Sequence, residues 1–234
     1  MTLPVVLLPS LGRRAADFDG LVAALHAAGF DAHALDPPAV MRMGVTLHDL
    51  SQVVVDVLDE HGWERVHLIG HAFGQRLARC IVADHSRRVA TLTMLAGGGL
   101  ARIDPEIVQS LAACFDQSLS PEEHLRHVAR VFFAPGNDPT VWLGGWLPAT
   151  AELQRAAVRA TPLGEWSSAA APRVLVVQGL QDVCAVPENG RRYFAMHPGR
   201  TTLVEIDGAG HALLPERPAE VAEAVIAFLR AGAE

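Results

Sequence analysis

Short apolar runs alternate along the chain with segments whose apolar residues recur at helical spacing. The first run, Val5–Leu8, ends at the Pro9-Ser10-Leu11-Gly12 stretch, which predicts a buried strand followed by a loop. Apolar positions 18, 21, 22 and 25 then follow i, i+3, i+4, i+7 spacing, which predicts a helix that Asp17 could cap. The chain therefore begins as a strand–loop–helix unit.

The same alternation continues through the first hundred residues. Thr46 and Asp49 have the spacing of a capping box, which predicts the start of a second helix. The remaining apolar runs of this part predict strands at Ala32–Leu35, Val66–Ile69 and Val89–Leu95. An order of β-α-β-α-β-α-β favours right-handed crossovers and a mostly parallel sheet.

The alternation is interrupted between residues 100 and 171. This part contains only helical patterns, at Ile107–Phe115, Glu122–Phe133 and Ala151–Arg159. Strand patterns resume at Pro172–Val177 and Thr201–Ile206, and a last helix begins at Pro218. We therefore predict an α/β fold of about six mostly parallel strands, with a core of residues 1–99 and 172–234 and a helical insertion of residues 100–171.

Composition narrows the class of partner. Half of the 234 residues are apolar and only 6% are aromatic, as expected for parallel strands covered by helices. A net charge of −7 argues against nucleic acid and anionic membrane surfaces as partners. No pair among the three cysteines has metal-ligand spacing, and we expect no metal or cofactor. The N-terminal apolar run is too short for a signal peptide or a membrane span. We expect a cytoplasmic monomer or homodimer that acts on a small molecule.

The stretch Gly70-His71-Ala72-Phe73-Gly74 lies between a predicted strand and a predicted helix. Small residues at both ends allow the sharp reversal of a nucleophile elbow, whose central side chain is exposed at the tip. In this respect the sequence resembles the α/β-hydrolase superfamily. The superfamily usually has a nucleophilic Ser, Asp or Cys at the tip, whereas this chain has Ala72.

Two later stretches resemble the same superfamily. Residues 178–187 follow a strand and resemble the acid loop, with Asp182 as the acid. Residues 207–211, Asp-Gly-Ala-Gly-His, follow the next strand and resemble the histidine loop, with His211 as the base. The order of elbow, acid and histidine is that of α/β-hydrolases. The resemblance implies that Asp182 accepts the Nδ1 proton of His211 and leaves Nε2 free as a base.

The loop after the first strand resembles the oxyanion loop of the superfamily, with Pro9-Ser10 in place of the common His-Gly. The resemblance implies that the backbone N–H groups of Leu11 and Phe73 form an oxyanion hole. In the related hydroxynitrile lyases a hydroxyl residue corresponds to Ser10 and points into the pocket. Ser10 therefore either supplies a hydroxyl to the site or only closes a turn.

The helical insertion resembles the cap that covers the pocket of α/β-hydrolases. The alternative is a helical excursion that only shields one edge of the sheet. Three of the four tryptophans lie in the insertion. We expect substrate contacts from Trp142, Trp146, Trp166 and His71.

Ala72 leaves three interpretations open. It is an engineered replacement of serine, the native residue of a divergent enzyme, or the mark of a ligand-binding protein without activity. We expect an enzyme that acts on a small, largely apolar carbonyl compound, with ester or lactone hydrolysis as the leading reaction. The alternative is non-hydrolytic acid–base chemistry of lyase, isomerase or cyclase type, run by His211 and Asp182 without a covalent intermediate.

Overall fold

Six apolar runs pair side by side in the computed structural model, which describes residues 3–37, 44–169 and 171–231. The strands are β1 (Val5–Leu8), β2 (Ala32–Ala34), β3 (Val66–His71), β4 (Val89–Leu95), β5 (Arg173–Gly179) and β6 (Thr201–Ile206). Their order in the sheet of the described chain is β2-β1-β3-β4-β5-β6, and each pairing is parallel. The predicted fold, a mostly parallel sheet of about six strands, is confirmed.

Helices cover both faces of this sheet. The described residues form α1 (Asp19–Ala27), α2 (Leu47–Glu60), α3 (Phe73–Asp84), α4 (Pro105–Ala113), α5 (Pro121–Phe132), α6 (Pro148–Ala160), α7 (Glu188–Met196), α8 (Leu213–Glu216) and α9 (Pro218–Arg230). Alternate residues of β1 enter opposite cores, Val6 and Leu8 with α2 and α3, and Val5 and Leu7 with α1 and α9. This two-sided burial explains why the strands are apolar throughout.

A local signal sets the start of α2 as expected. The Thr46 hydroxyl accepts the N–H of Asp49, and the Asp49 carboxylate accepts the N–H of Thr46, so the capping box is formed. The predicted cap of the first helix is wrong. The α1 helix begins at Asp19, after a short 3₁₀ turn, and the Asp17 carboxylate pairs with Arg13 instead.

The segment between β4 and β5 contains α4, α5, α6 and 3₁₀ turns, and no strand among its described residues. Its own apolar cluster includes Val128, Phe132 and Trp142. That cluster also contains Cys184 and Ala212, which belong to the loops after β5 and β6. The helical insertion therefore packs directly on the loops at the carboxyl edge of the sheet. Its boundaries as a separate unit stay a prediction.

None of the helices in the described ranges is both long and apolar enough to cross a membrane. The oligomeric state and the compartment that the sequence suggests stay predictions.

Candidate active site

The tip of the sharp turn between β3 and α3 is Ala72. Its φ of 50° and ψ of −104° lie outside the regions that residues with a Cβ readily adopt. Two glycines make the turn possible. A Cβ on Gly74 would overlap the carbonyl of Leu8, and one on Gly70 would overlap the backbone of Gln75. The backbone thus has the strained elbow conformation although its tip carries only a methyl group.

His211 and Asp182 meet at the same edge of the sheet. Nδ1 of His211 lies 2.9 Å from Oδ2 of Asp182, within the expected hydrogen-bond reach, and both side chains are buried. The other carboxylate oxygen accepts the N–H groups of Cys184 and Ala185, at 2.8 and 2.6 Å. Gln178 donates its side-chain amide to Oδ2 at 3.1 Å. The saturated carboxylate holds the Nδ1–H tautomer and leaves His211 Nε2 without a partner among the described residues.

Glu216 anchors the histidine loop, a role that the sequence did not reveal. Its carboxylate accepts the N–H of Gly210 at 2.8 Å and the N–H of Ala134, from the helical insertion, at 2.6 Å. The side-chain amide of Asn137 donates to the same carboxylate. A single glutamate in a short helix carries no sequence pattern that would predict this link.

His71 does not line the pocket, contrary to the expectation that it contacts substrate. The side chain is fully buried, and its Nε2–H donates to the backbone carbonyl of His211 at 2.8 Å. Burial is the main reason that the pKa of His71 falls to about 3, and the neighbouring His211 lowers it further. Nδ1 has no partner in the described part of the chain. His71 is therefore a neutral positioning residue beneath the dyad.

A cavity of about 300 Å³ opens above Ala72. Ser10, Leu11, Phe73 and His211 line it from the sheet edge. The cavity walls from the helical insertion include Leu111, Phe132, Trp142, Trp146, Arg155, Val158 and Arg159. Two of the three predicted tryptophans thus face the cavity.

Trp166 lies elsewhere, contrary to expectation. Its ring is buried in the core on the α2 and α3 side of the sheet, with the Arg79 guanidinium 4.7 Å from its centroid. The large apolar ring fills this core, and a tryptophan count alone cannot distinguish such a residue from a pocket residue.

The two proposed oxyanion donors, Leu11 and Phe73, line the same cavity. Phe73 is the first residue of α3, so its N–H has no partner within the helix. The Leu11 N–H has none among the described residues either, and both residues line the cavity. The carbonyl of Ser10 accepts the N–H of Arg13 in a turn, and Ser10 also lines the cavity. A role for its hydroxyl in the site stays a prediction.

One group of potential metal ligands in the described chain lies away from this pocket. His48, Cys80 and Asp84 have donor atoms within 4.8 Å of one another. Hydrogen bonds to Asp84 and then Glu165 raise the pKa of His48, and burial raises that of the Cys80 thiol. Ion pairing of His48 with two carboxylates accounts for the group without a metal.

Comparisons with known proteins agree with this arrangement. Residues 5–224 match the model of the alpha/beta hydrolase family. A relative from Variovorax paradoxus (strain S110), named carbamate hydrolase RutD, is 33% identical over 97 residues, which cover 39% of this chain. The match spans about a third of the length of that relative, 36%.

Solved structures with the same fold include a protein of Mycobacterium tuberculosis H37Rv named as the non-heme bromoperoxidase BpoC. It has a TM-score of 0.83 and 22% identity, covering 99% of this chain and 93% of the other. A thermophilic esterase from Thermogutta terrifontis has a TM-score of 0.78 and 20% identity, covering 100% and 92%. The chain belongs to the alpha/beta hydrolase family.

Proposed function

We propose that this enzyme hydrolyses small esters or lactones with water activated by His211, without a covalent intermediate at position 72. One observation carries the proposal. His211, Leu11 and Phe73 line a single cavity beside Ala72, which supports a base and two oxyanion donors acting on one bound carbonyl. The methyl group of Ala72 leaves room there for a water molecule or a substrate carbonyl.

In the proposed step, Nε2 of His211 takes a proton from water as the water oxygen bonds to the carbonyl carbon. The N–H groups of Leu11 and Phe73 hold the resulting oxyanion. Collapse of the tetrahedral intermediate breaks the bond to the leaving oxygen, which receives the proton from His211. The products are a carboxylic acid and an alcohol, or a hydroxy acid from a lactone.

The missing nucleophile limits the range of substrates. Removing the nucleophile of a serine hydrolase costs roughly 10⁶ in turnover, while the rest of the site still gives about 10³–10⁴ over water. We therefore expect turnover of activated carbonyls, such as aryl esters and strained lactones, rather than simple alkyl esters.

Ala72 itself favours a second candidate function. Proton abstraction, elimination or cyclisation needs no covalent intermediate, so the loss of a nucleophile costs such reactions little. In this alternative His211 takes a proton directly from the substrate, and the N–H groups of Leu11 and Phe73 stabilise the resulting enolate or alkoxide.

The test is a panel of aryl acetates and γ-lactones assayed with the wild type, His211→Ala, Asp182→Asn and the surface control His61→Ala. General base catalysis contributes about 10²–10⁴, so we expect His211→Ala to lower kcat/KM at least 100-fold and His61→Ala to leave it unchanged. In H₂¹⁸O, hydrolysis must place label in the product acid. Equal rates for the wild type and His211→Ala on each substrate would overturn the proposal. Turnover that depends on His211 but leaves the product unlabelled would favour the second candidate.

A further inference from the structure

The cavity is cationic although the protein is acidic. The chain has a net charge of −7. Four arginines nevertheless line the cavity, Arg13, Arg76, Arg155 and Arg159, and its described lining includes no Asp or Glu. A local excess of positive charge in a concave site favours anionic ligands.

Two of these arginines have partners within the protein. Arg13 donates two hydrogen bonds to the Asp17 carboxylate, each 2.8 Å, and is stacked on the rings of Trp142 and Trp146. Arg159 pairs with Glu152 at 2.8 Å, where both side chains are exposed. The charges of Arg13 and Arg159 are therefore already paired within the protein, and neither needs a ligand as a partner.

Arg76 has no such partner. Within the described residues its guanidinium makes neither a hydrogen bond nor an ion pair, and its one aromatic contact is the ring of Trp166, 5.9 Å from Cζ. Its side chain is half-buried where it lines the cavity, and the protein around it lowers its pKa. A guanidinium offers five donors, and those of Arg76 have no competing acceptor among the described residues. An anion in the cavity is the partner that this guanidinium lacks.

The position of Arg76 relates it to the reacting point. It follows the elbow tip Ala72 by four residues, about one turn further along the chain in α3, and both residues line the cavity. Four residues of helix correspond to about 6 Å along the axis. An anion bound by Arg76 is therefore only a few bonds from a carbonyl placed at Ala72.

Arg155 strengthens the same field from the opposite side of the cavity. It lies on α6, with Cζ 4.3 Å from the ring centroid of Phe115, and makes no ion pair or hydrogen bond in the described chain. Sheet edge and insertion thus each present one unpaired guanidinium.

We infer that the substrate carries a carboxylate, which binds to Arg76 and directs the reacting carbonyl towards Ala72 and His211. The claim that the substrate also contains a reacting carbonyl rests on the proposed function, whereas the claim of a carboxylate site at Arg76 does not. The geometry of a guanidinium fork matches a carboxylate through two parallel hydrogen bonds. The substrate class is then a short carboxylic acid that also contains an ester, lactone or ketone group, rather than a wholly apolar carbonyl compound.

The experiment measures binding by calorimetry, without turnover, with phenylacetate and its neutral counterpart phenylacetamide as probes. We expect the wild type to bind phenylacetate at least tenfold more tightly than phenylacetamide, and this preference to weaken with added salt. Arg76→Gln should remove the preference and Arg76→Lys should restore part of it. Arg126→Gln removes the same charge from an exposed position outside the cavity and should keep the preference.

Equal affinity for the two probes in the wild type would overturn the inference, as would an undiminished preference in folded Arg76→Gln. If Arg76→Gln fails to fold, the wild-type comparison and Arg155→Gln, which should reduce the preference, still decide it. The proposed function and this inference can fail separately. If the wild type prefers phenylacetate but turns over no ester or lactone, the proposed function is removed and this inference stands.

Discussion

The two sides of the cavity are built differently. The sheet-edge loops, residues 9–12, 71–74, 180–187 and 207–212, are held by close backbone contacts. A Cβ on Gly74 or Gly210 would overlap backbone atoms of Leu8 or Phe132. Parts of the helical insertion are more open, because a Cβ on Gly144 or Gly164 would meet nothing within 4 Å. The difference indicates that the fold fixes the position of the base and oxyanion donors, whereas the insertion determines what fits above them.

The largest expected effect comes from changing a glycine of the sheet-edge loops to alanine, compared with the same change in the helical insertion. Gly74→Ala forces the elbow against β1 and should destabilise the protein by about 3 kcal/mol or more, which is roughly 6–12 °C in Tm at this chain length. Gly164→Ala should change Tm by less than about 2 °C, since its Cβ has open space. Thermal unfolding of both variants measures this, and similar Tm losses would refute the contrast between the two sides.

The sheet-edge loops should also be sensitive to acid, because they enclose a neutral histidine. The pKa of His71 is about 3 in the folded protein, and its ordinary value is 6.5. Below about pH 6.5 the unfolded chain binds a proton that the folded chain does not bind until about pH 3. The stabilisation is therefore fully present above pH 6.5 and is lost as the pH falls towards 3, by up to a few kcal/mol.

Urea unfolding at pH 7.5 and pH 4.5 tests this. His71→Phe should lose less stability between the two pH values than the wild type, since it removes the group that titrates. The exposed control His61→Phe should keep the wild-type pH dependence. An unchanged pH dependence in His71→Phe would show that His71 is not the group responsible.

Sequence reasoning was most successful at the sheet edge. The elbow, Asp182 and His211 each lie at or shortly after the carboxyl end of a strand, so the parallel sheet brings them together and local motifs are sufficient to locate them. The Thr46 cap was predictable for the same reason, because a capping box involves residues only three apart. Asp17 does not cap the first helix, because Arg13 also lies within one turn and pairs with its carboxylate.

The helical insertion was less predictable because its side chains meet partners distant in sequence. Trp166 and Trp142 both lie in the insertion, and the sequence does not distinguish them. Trp166 nevertheless packs in the sheet core, whereas Trp142 faces the cavity. The cationic lining was not predicted. Arg76 lies two residues after the elbow, but its place in the cavity depends on how the insertion packs over α3.

A moderate effect is expected at Ser10, on the sheet-edge side. If its hydroxyl serves the reaction, Ser10→Ala should lower kcat/KM about tenfold, or roughly 1.4 kcal/mol. Ser118→Ala, which removes an exposed hydroxyl, should leave kcat/KM unchanged. Steady-state kinetics on the best aryl ester measures both. Wild-type kinetics in Ser10→Ala would show that Ser10 only closes a turn and that its hydroxyl has no role in the reaction.

The smallest effect is expected from the helical insertion. Trp146→Leu removes an aromatic cavity wall and should raise KM roughly two- to fivefold, or about 0.5–1 kcal/mol, with kcat nearly unchanged. Trp166 lies outside the cavity, so Trp166→Phe should lower Tm while leaving KM unchanged. The opposite pattern, a KM effect from Trp166→Phe alone, would contradict the assignment of these two rings.

The central claim is that the sheet edge retains a complete hydrolase geometry that lacks only a nucleophilic oxygen. The most direct test is intact-mass analysis of Ala72→Ser after exposure to a fluorophosphonate, which reacts with activated serines. We predict one phosphonyl adduct on Ala72→Ser, and none on the wild type or on Ala72→Ser combined with His211→Ala. An Ala72→Ser protein that has the wild-type Tm but gains no adduct would contradict the claim, since elbow, base and oxyanion donors would then not converge.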